Sequence, residues 1–211
     1  MDNGVAKKTG TNKGKEENGQ VIVGITGASG IIYGIETVRW LKRLGYKPLV
    51  IISRAAERVA RIENDLDLRE TIGKEAAFYM EEEIDAPTSS SSFTIKTLGM
   101  VIVPCSIKTL AEIAGGMSSN LISRSALNYL RTGGKLILVI RETPLGAIEL
   151  ENALKLARLG SIILPASPGF YVKPKTVEDM VNFIVGKALD VLGIKHDIYE
   201  AWKGTREPNF E

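Results

Sequence analysis

The sequence predicts an α/β domain, a mostly parallel sheet held between two layers of helices. Three observations point there. Short β-branched runs alternate with segments whose apolar residues recur at helical spacing. A glycine-rich turn joins the first run to the first helical segment. Each run ends in polar or unusual residues, at the carboxyl edge where parallel sheets bind ligands: Thr26 to Ser29, Ser53-Arg54, Cys105-Ser106, Arg141-Glu142 and Ala166-Ser167.

The elements follow in order. QVIVGIT (20–26) reads as the first strand. Residues 32–45 read as a helix, with Ile35, Val38, Leu41 and Leu44 at helical spacing and Gly45 as the stop. KPLVIIS (47–53) is a strand and 55–63 a helix. Residues 64–83 are charged and weakly patterned, and are expected to be helical; 85–93 is expected to be a loop. GMVIVPCS (99–106) is a buried strand ended by Pro104. Helices are expected over 108–117 and 121–134, strands over 135–142 and 161–167, and a helix over 147–160 between those two strands. PGFYVKPK is a loop, and 176–194 is the last long helix, with Thr176 as its N-cap and acids in its first turn. Right-handed crossovers then make a doubly wound, Rossmann-like or flavodoxin-like three-layer sandwich.

Composition narrows the chemistry. The 211 residues suffice for one domain, and a net charge of +2 with 44% hydrophobic and 25% charged residues describes an ordinary globular chain. No Lys/Arg block is long enough to track a nucleic acid. Cys105 is the single cysteine, which excludes an intramolecular disulfide and a Cys-cluster metal site. His196 is the single histidine, which leaves no His-rich metal site and weighs against a Ser–His triad. Carboxylates, lysine, arginine, hydroxyls or a cofactor must do the work. Residues 1–20 are rich in Gly, Lys, Asn and Glu and read as a disordered tail; 21–202 forms the single domain and 203–211 a C-terminal tail. With no signal-peptide pattern and no apolar run of the roughly 18 residues that span a bilayer, the cytoplasm is the expected compartment.

The turn VIVGITGASGIIYG (21–34) opens onto a helix N-terminus, whose free N–H groups and dipole suit phosphate. Its glycines fall at 24, 27, 30 and 34, which does not match the G-x-G-x-x-G dinucleotide fingerprint, and no acid ends the second strand. Arg54 there could grip a 2′-phosphate, so NADP stays open on spacing alone. Tyr171 and Lys175 have the spacing of a reductase pair, but Pro168 and Pro174 oppose the helix that pair needs.

Several stretches together resemble the UbiX-type flavin prenyltransferases: TGASG followed by YG, SSSSF, VIVPCSIKTLAEIAGG, NLISRSA, RETPL, LENALKLARLG, ILPASPGFY and TVEDMVNFIVGKALDVLGI. The likeness runs from about Val21 to Trp202. It implies a metal-independent enzyme that joins the five-carbon unit of dimethylallyl monophosphate to N5 and C6 of reduced FMN. The prenylated FMN would serve a separate UbiD-type decarboxylase. It also implies a homo-oligomer, typically a dodecamer, with active sites where subunits meet. Labels of such sequences as decarboxylases name the user of the cofactor rather than its maker. By position, the resemblance gives FMN contacts to Gly27, Ala28, Ser29, Ser53, Ser106, Ile107, Lys108, Thr109 and Arg141. It gives the donor phosphate to Tyr171 and Lys187, where some members have arginine, and to Arg131, where some have lysine. Glu63 and Glu142 match acid/base carboxylates, and Trp202 matches a tryptophan near the site.

The residue types suit that reaction. Arg131, Arg141, Lys187, Tyr171 and the Ser89–Ser92 run, Ser90 among them, can stabilise a departing phosphate. Trp202 can shield a cationic allyl centre. Glu142 is the first choice of base and Glu63 the second, with Ser29 as a relay. Three rivals remain. A flavin-dependent cysteine decarboxylase would carry an active-site histidine and a P-A-S-A-N-T stretch, where this chain has PCSIKT and its histidine at 196. A non-catalytic FMN storage or delivery protein would not need Tyr171, Lys187, Glu142 and the serine run together. An NADP-dependent reductase is opposed by the glycine spacing.

Overall fold

The computed structural model describes residues 18–202 and 204. Its elements are β1 (Gln20–Ile25), α1 (Ile31–Arg43), β2 (Lys47–Ile52), α2 (Arg54–Asn64), α3 (Leu68–Gly73), β3 (Ala77–Met80), α4 (Ser91–Thr94), β4 (Gly99–Cys105), α5 (Ile107–Ala114), α6 (Leu121–Thr132), β5 (Leu136–Ile140), α7 (Ala147–Arg158), β6 (Ile162–Pro165) and α8 (Val177–Leu192). The strands form one six-stranded sheet in the order β3-β2-β1-β4-β5-β6. Every pairing is parallel. The order reverses between β1 and β4, so the ligand crevice of the fold opens where those strands end.

The strand pattern explains the layers. Successive side chains on a strand face opposite ways. Val21, Val23, Ile25, Val50, Ile52, Val101 and Val103 therefore pack in one core with α1, α2, α3 and α8. Ile22, Ile51, Met100, Ile102, Leu136 and Leu138 pack in the other with α5, α6 and α7, joined by Cys105, which a register shift after Ile102 turns to that face. Burial on both faces is why these strands read as continuous apolar runs. The Cys105 thiol, buried at a strand end, has its pKa pushed up to about 12 by desolvation.

The expectation of helix through 64–83 is corrected. A short α3 is followed by β3, an edge strand paired with β2 through Leu49–Ala77 to Ile52–Met80. Four residues are too few to show a period, and the charges around them imitate a solvated helix. The loop expected at 85–93 contains a 3-10 turn at Pro87–Ser89 and the start of α4. The loop before the last helix holds a 3-10 turn at Phe170–Val172, so Tyr171 and Lys175 do not share a helix face. The tails expected at 1–20 and 203–211 fall largely outside the described residues, although β1 already begins at Gln20. Among the described residues no helix is long and apolar enough to cross a membrane.

Candidate active site

Thr26, buried at the end of β1, ties the switch point together. Its hydroxyl donates to the Pro104 carbonyl at 2.8 Å and accepts the Ser106 N–H at 2.8 Å. This fixes Ser106 as the N-cap of α5, where its Oγ accepts the Thr109 N–H at 3.3 Å and donates to the Thr109 hydroxyl at 3.1 Å. The N–H groups of Ile107 and Lys108, in the first turn, are left to point off the sheet edge. Lys108 is exposed and pairs with Glu112 at 3.2 Å.

Beside this lies the glycine turn. Gly27 is in such close contact with α2 that a Cβ there would fall 2.3 Å from the Ala55 Cβ. Ala28 is buried and Ser29 half-buried. Gly30, with φ of 90°, closes the turn and caps α1. Its N–H donates to Glu63 Oε2 at 2.8 Å, which brings Glu63 from the last turn of α2 to the residue next to Ser29. Ser53, buried at the end of β2, caps α2 by accepting the Ala56 N–H at 3.1 Å. Arg141 follows β5, its N–H donating to the Cys105 carbonyl at 3.4 Å. Its Nε is buried with no hydrogen-bond partner among the described residues. Tyr33 is close enough that the Arg141 charge opposes the rise in its pKa, which burial causes. Glu142 is exposed, with Oε1 accepting the Thr143 N–H at 3.0 Å.

The other expected residues form two further groups. Tyr171 packs edge-on against Phe183 and against Trp202, each at 5.7 Å between ring centroids. Lys187 Nζ lies 5.5 Å from the centroid of the same Phe183 ring. Ser90 and Arg131 line a polar groove of about 400 Å³ with Arg124, Asn128 and neighbouring serines. α6 starts beside Glu81, past the carboxyl end of β3. Arg131, ten residues along it, therefore sits about 15 Å away, toward the opposite sheet edge. No hydrogen bond, ion pair or ring contact among the described residues joins one of the three groups to another. One chain thus brings together Gly27, Ala28, Ser29, Ser53, Glu63, Ser106–Thr109, Arg141 and Glu142 at the switch-point edge, while Tyr171, Lys187 and Trp202 form a second group and Ser90 and Arg131 a third.

Sequence reasoning missed Thr26 as the clamp at this edge, Tyr33 beside Arg141, and the Phe183, Asp190, His196 and Tyr199 surroundings of Lys187. A glycine inside the last long helix, Gly186, was the available signal for the last of these.

The family model described as Flavoprotein matches residues 9–189. A flavin prenyltransferase UbiX of Saccharolobus solfataricus is 60% identical over 201 residues, covering 95% of this chain and 100% of that one. The chain belongs to the UbiX flavin prenyltransferase family. Among solved UbiX structures, AnUbiX (PadA1) in complex with FMN and dimethylallyl pyrophosphate superposes with a TM-score of 0.85 at 36% identity, over 89% of this chain and 98% of that one. A dodecameric FMN-dependent UbiX-like decarboxylase from Escherichia coli O157:H7 superposes with a TM-score of 0.83 at 36% identity, over 88% and 100% of the two chains. The UbiX fold identified here is thus the α/β sandwich expected from the sequence, and it holds no cluster of metal-ligating side chains among the described residues.

The chain's own residues fit a flavin mononucleotide. The orphaned Arg141 Nε is a buried donor in need of an acceptor. The α5 N-terminus and the glycine turn offer backbone N–H groups and positive dipole ends to a phosphate.

Proposed function

We propose that this UbiX-family chain transfers a dimethylallyl group from its phosphate ester to N5 and C6 of reduced FMN, making prenylated FMN. One observation carries the reading: an arginine nitrogen, buried with no partner among the described residues, stands at the same sheet edge as a glycine turn and a free helix N-terminus. Reduced FMN supplies the nucleophilic N5 and C6. Gly27, Ala28, Ser29, Ser53 and Ser106–Thr109 hold it at the carboxyl edge, and Arg141 reaches it with the unpaired Nε.

The remaining roles follow from the chemistry each side chain carries. Lys187, Tyr171, Arg131 and Ser90 neutralise the phosphate as the C–O bond breaks. Trp202 and Tyr171 exclude water and face the cationic carbon with π-density. Glu142, exposed at the end of β5, accepts a proton released when the new bonds form. Glu63 serves beside Ser29, where the bond to Gly30 N–H holds it.

Because Arg131 and Ser90 lie away from the switch-point edge of their own chain, they reach the site of a neighbouring copy in a homo-oligomer, as do Tyr171, Lys187 and Trp202. The dodecamer reported for the Escherichia coli relative supports such an arrangement. The donor bound to AnUbiX is dimethylallyl pyrophosphate; here the monophosphate is the expected donor, and a UbiD-type decarboxylase in the cytoplasm the expected recipient of product.

The test is anaerobic incubation with reduced FMN and either dimethylallyl monophosphate or dimethylallyl pyrophosphate, followed by mass spectrometry. A flavin heavier by C5H8 supports the reading. FMN bound and never modified with either donor would favour a storage protein and overturn it.

A further inference from the structure

We infer that Asp190, Tyr199 and His196 form a brace that positions the Lys187 ammonium for the donor phosphate. This rests on the reading that Lys187 binds that phosphate.

The brace is built where the chain turns back after α8. Gly193 ends the helix with φ of 83°, and the following residues fold back along it. The His196 side chain is 4% exposed, and its Nε2 lies 2.9 Å from the Gly186 carbonyl and 3.1 Å from Asp190 Oδ1. Its Nδ1 accepts the Ile198 N–H at 3.2 Å, which places the ring hydrogen on Nε2, facing both acceptors. Tyr199 lies directly on α8, since a Cβ at Gly186 would meet its ring carbon at 2.5 Å. Glycine costs about 1 kcal/mol inside a helix, so its presence at this position reflects the ring it makes room for. The Tyr199 hydroxyl donates to Asp190 Oδ2. Lys187 Nζ stands 3.9 Å from that same oxygen and 4.9 Å from the Tyr199 ring centroid.

Three side chains therefore converge on one carboxylate, with His196 at Oδ1 and Tyr199 and Lys187 at Oδ2. Asp190 is oriented by the first two before it acts on the third. At 3.9 Å the lysine is steered by Asp190 without being tied up by it; the Tyr199 hydroxyl takes one of its three N–H donors, and the others stay available. A hydrogen bond with the Tyr199 side chain holds the Lys187 pKa above the ordinary lysine value against partial burial, and the Asp190 carboxylate adds to the rise. Lysine needs this support more than arginine would. Its ammonium is a point charge on a flexible stem, whereas a guanidinium brings its own planar fork to a phosphate.

Steady-state kinetics at saturating reduced FMN test the inference. Tyr199→Phe keeps the ring over Gly186 and removes the hydroxyl. The donor KM should rise about three- to tenfold, the effect of one lost hydrogen bond. Turnover, FMN affinity and melting temperature should hold. The same change should have no further effect on donor KM in a Lys187→Ala background, and a smaller effect in Lys187→Arg, which carries its own fork. Asp190→Asn should reproduce the Tyr199→Phe phenotype.

If Lys187→Ala raises the donor KM and Tyr199→Phe does not, the brace is overturned and the donor reading stands. If Lys187→Ala leaves the donor KM unchanged, that reading falls and takes the brace with it. A Tyr199→Phe variant that loses FMN affinity and melting temperature along with donor affinity would mark a merely structural contact and overturn the proposal.

Discussion

Replacing Gly27 by alanine tests the architecture of the flavin edge at a single atom. The new Cβ would lie 2.3 Å from the Ala55 Cβ and 3.1 and 3.2 Å from two Ala55 backbone carbons. Carbon atoms in contact prefer about 3.5–4.0 Å, so the first overlap exceeds 1 Å. Neither partner has a rotatable side chain, so the glycine turn and α2 must separate. Overpacking of this kind costs about 1–3 kcal/mol. The displaced turn carries Ala28 and Ser29, and α2 carries Glu63, so FMN affinity should fall about tenfold or more at that strain.

The assay pairs urea denaturation at fixed protein concentration with FMN titration followed by flavin fluorescence. Ala55→Gly in the same chain removes the 2.3 Å contact but leaves the two backbone contacts, so rescue should be partial. The double variant should be more stable than the sum of the single effects implies. Gly27→Ala with stability within about 0.5 kcal/mol of the parent and unchanged FMN affinity would refute the reasoning, as would simple additivity with Ala55→Gly.

Three further outcomes are expected. Thr26→Val removes the hydroxyl that serves both Pro104 and Ser106, leaving the Ser106 N–H unpaired; unfolding should cost about 1–3 kcal/mol less and FMN should bind more weakly, measured by the same two titrations. Glu142→Gln should keep FMN affinity, since Glu142 is exposed and its carboxylate bonds only the Thr143 N–H among the described residues, while single-turnover product formation slows at least tenfold. At alkaline pH the folded state should weaken in two stages. Burial raises the Cys105 thiol from 9.0 to about 12 and the Tyr129 phenol from 10.0 to about 12, so the folded protein keeps protons that the unfolded chain gives up. Nothing is lost below pH 9; from there unfolding free energy should fall by about 1.4 kcal/mol per pH unit for Cys105, and from pH 10 by as much again for Tyr129, and Cys105→Ala should move the onset toward pH 10.

Much of the site was legible because its residues sit where strands end. Ser53, Ser106 and Arg141 each follow a run of apolar residues, and a parallel sheet brings all such ends to one edge whatever the loops between them do. Glu63 was legible only by resemblance. Nothing local distinguishes it from the other charges of a solvated helix, and its contact with Gly30 spans 33 residues. The brace at Lys187 was illegible for the same reason, since His196 and Tyr199 join Asp190 only after the chain reverses.

The sequence by itself determined the alternation of strand and helix, the two-faced burial of the sheet and the chemical inventory of its carboxyl edge. These are written in local periodicity and composition, because each strand or helix must bury its own apolar face. Tertiary structure alone decided that 77–80 joins the sheet as its edge, that Glu63 closes the glycine turn, and that Arg131 stands away from the switch-point edge. Those outcomes depend on how elements dock against one another, and docking is set by contacts between residues that no local pattern relates.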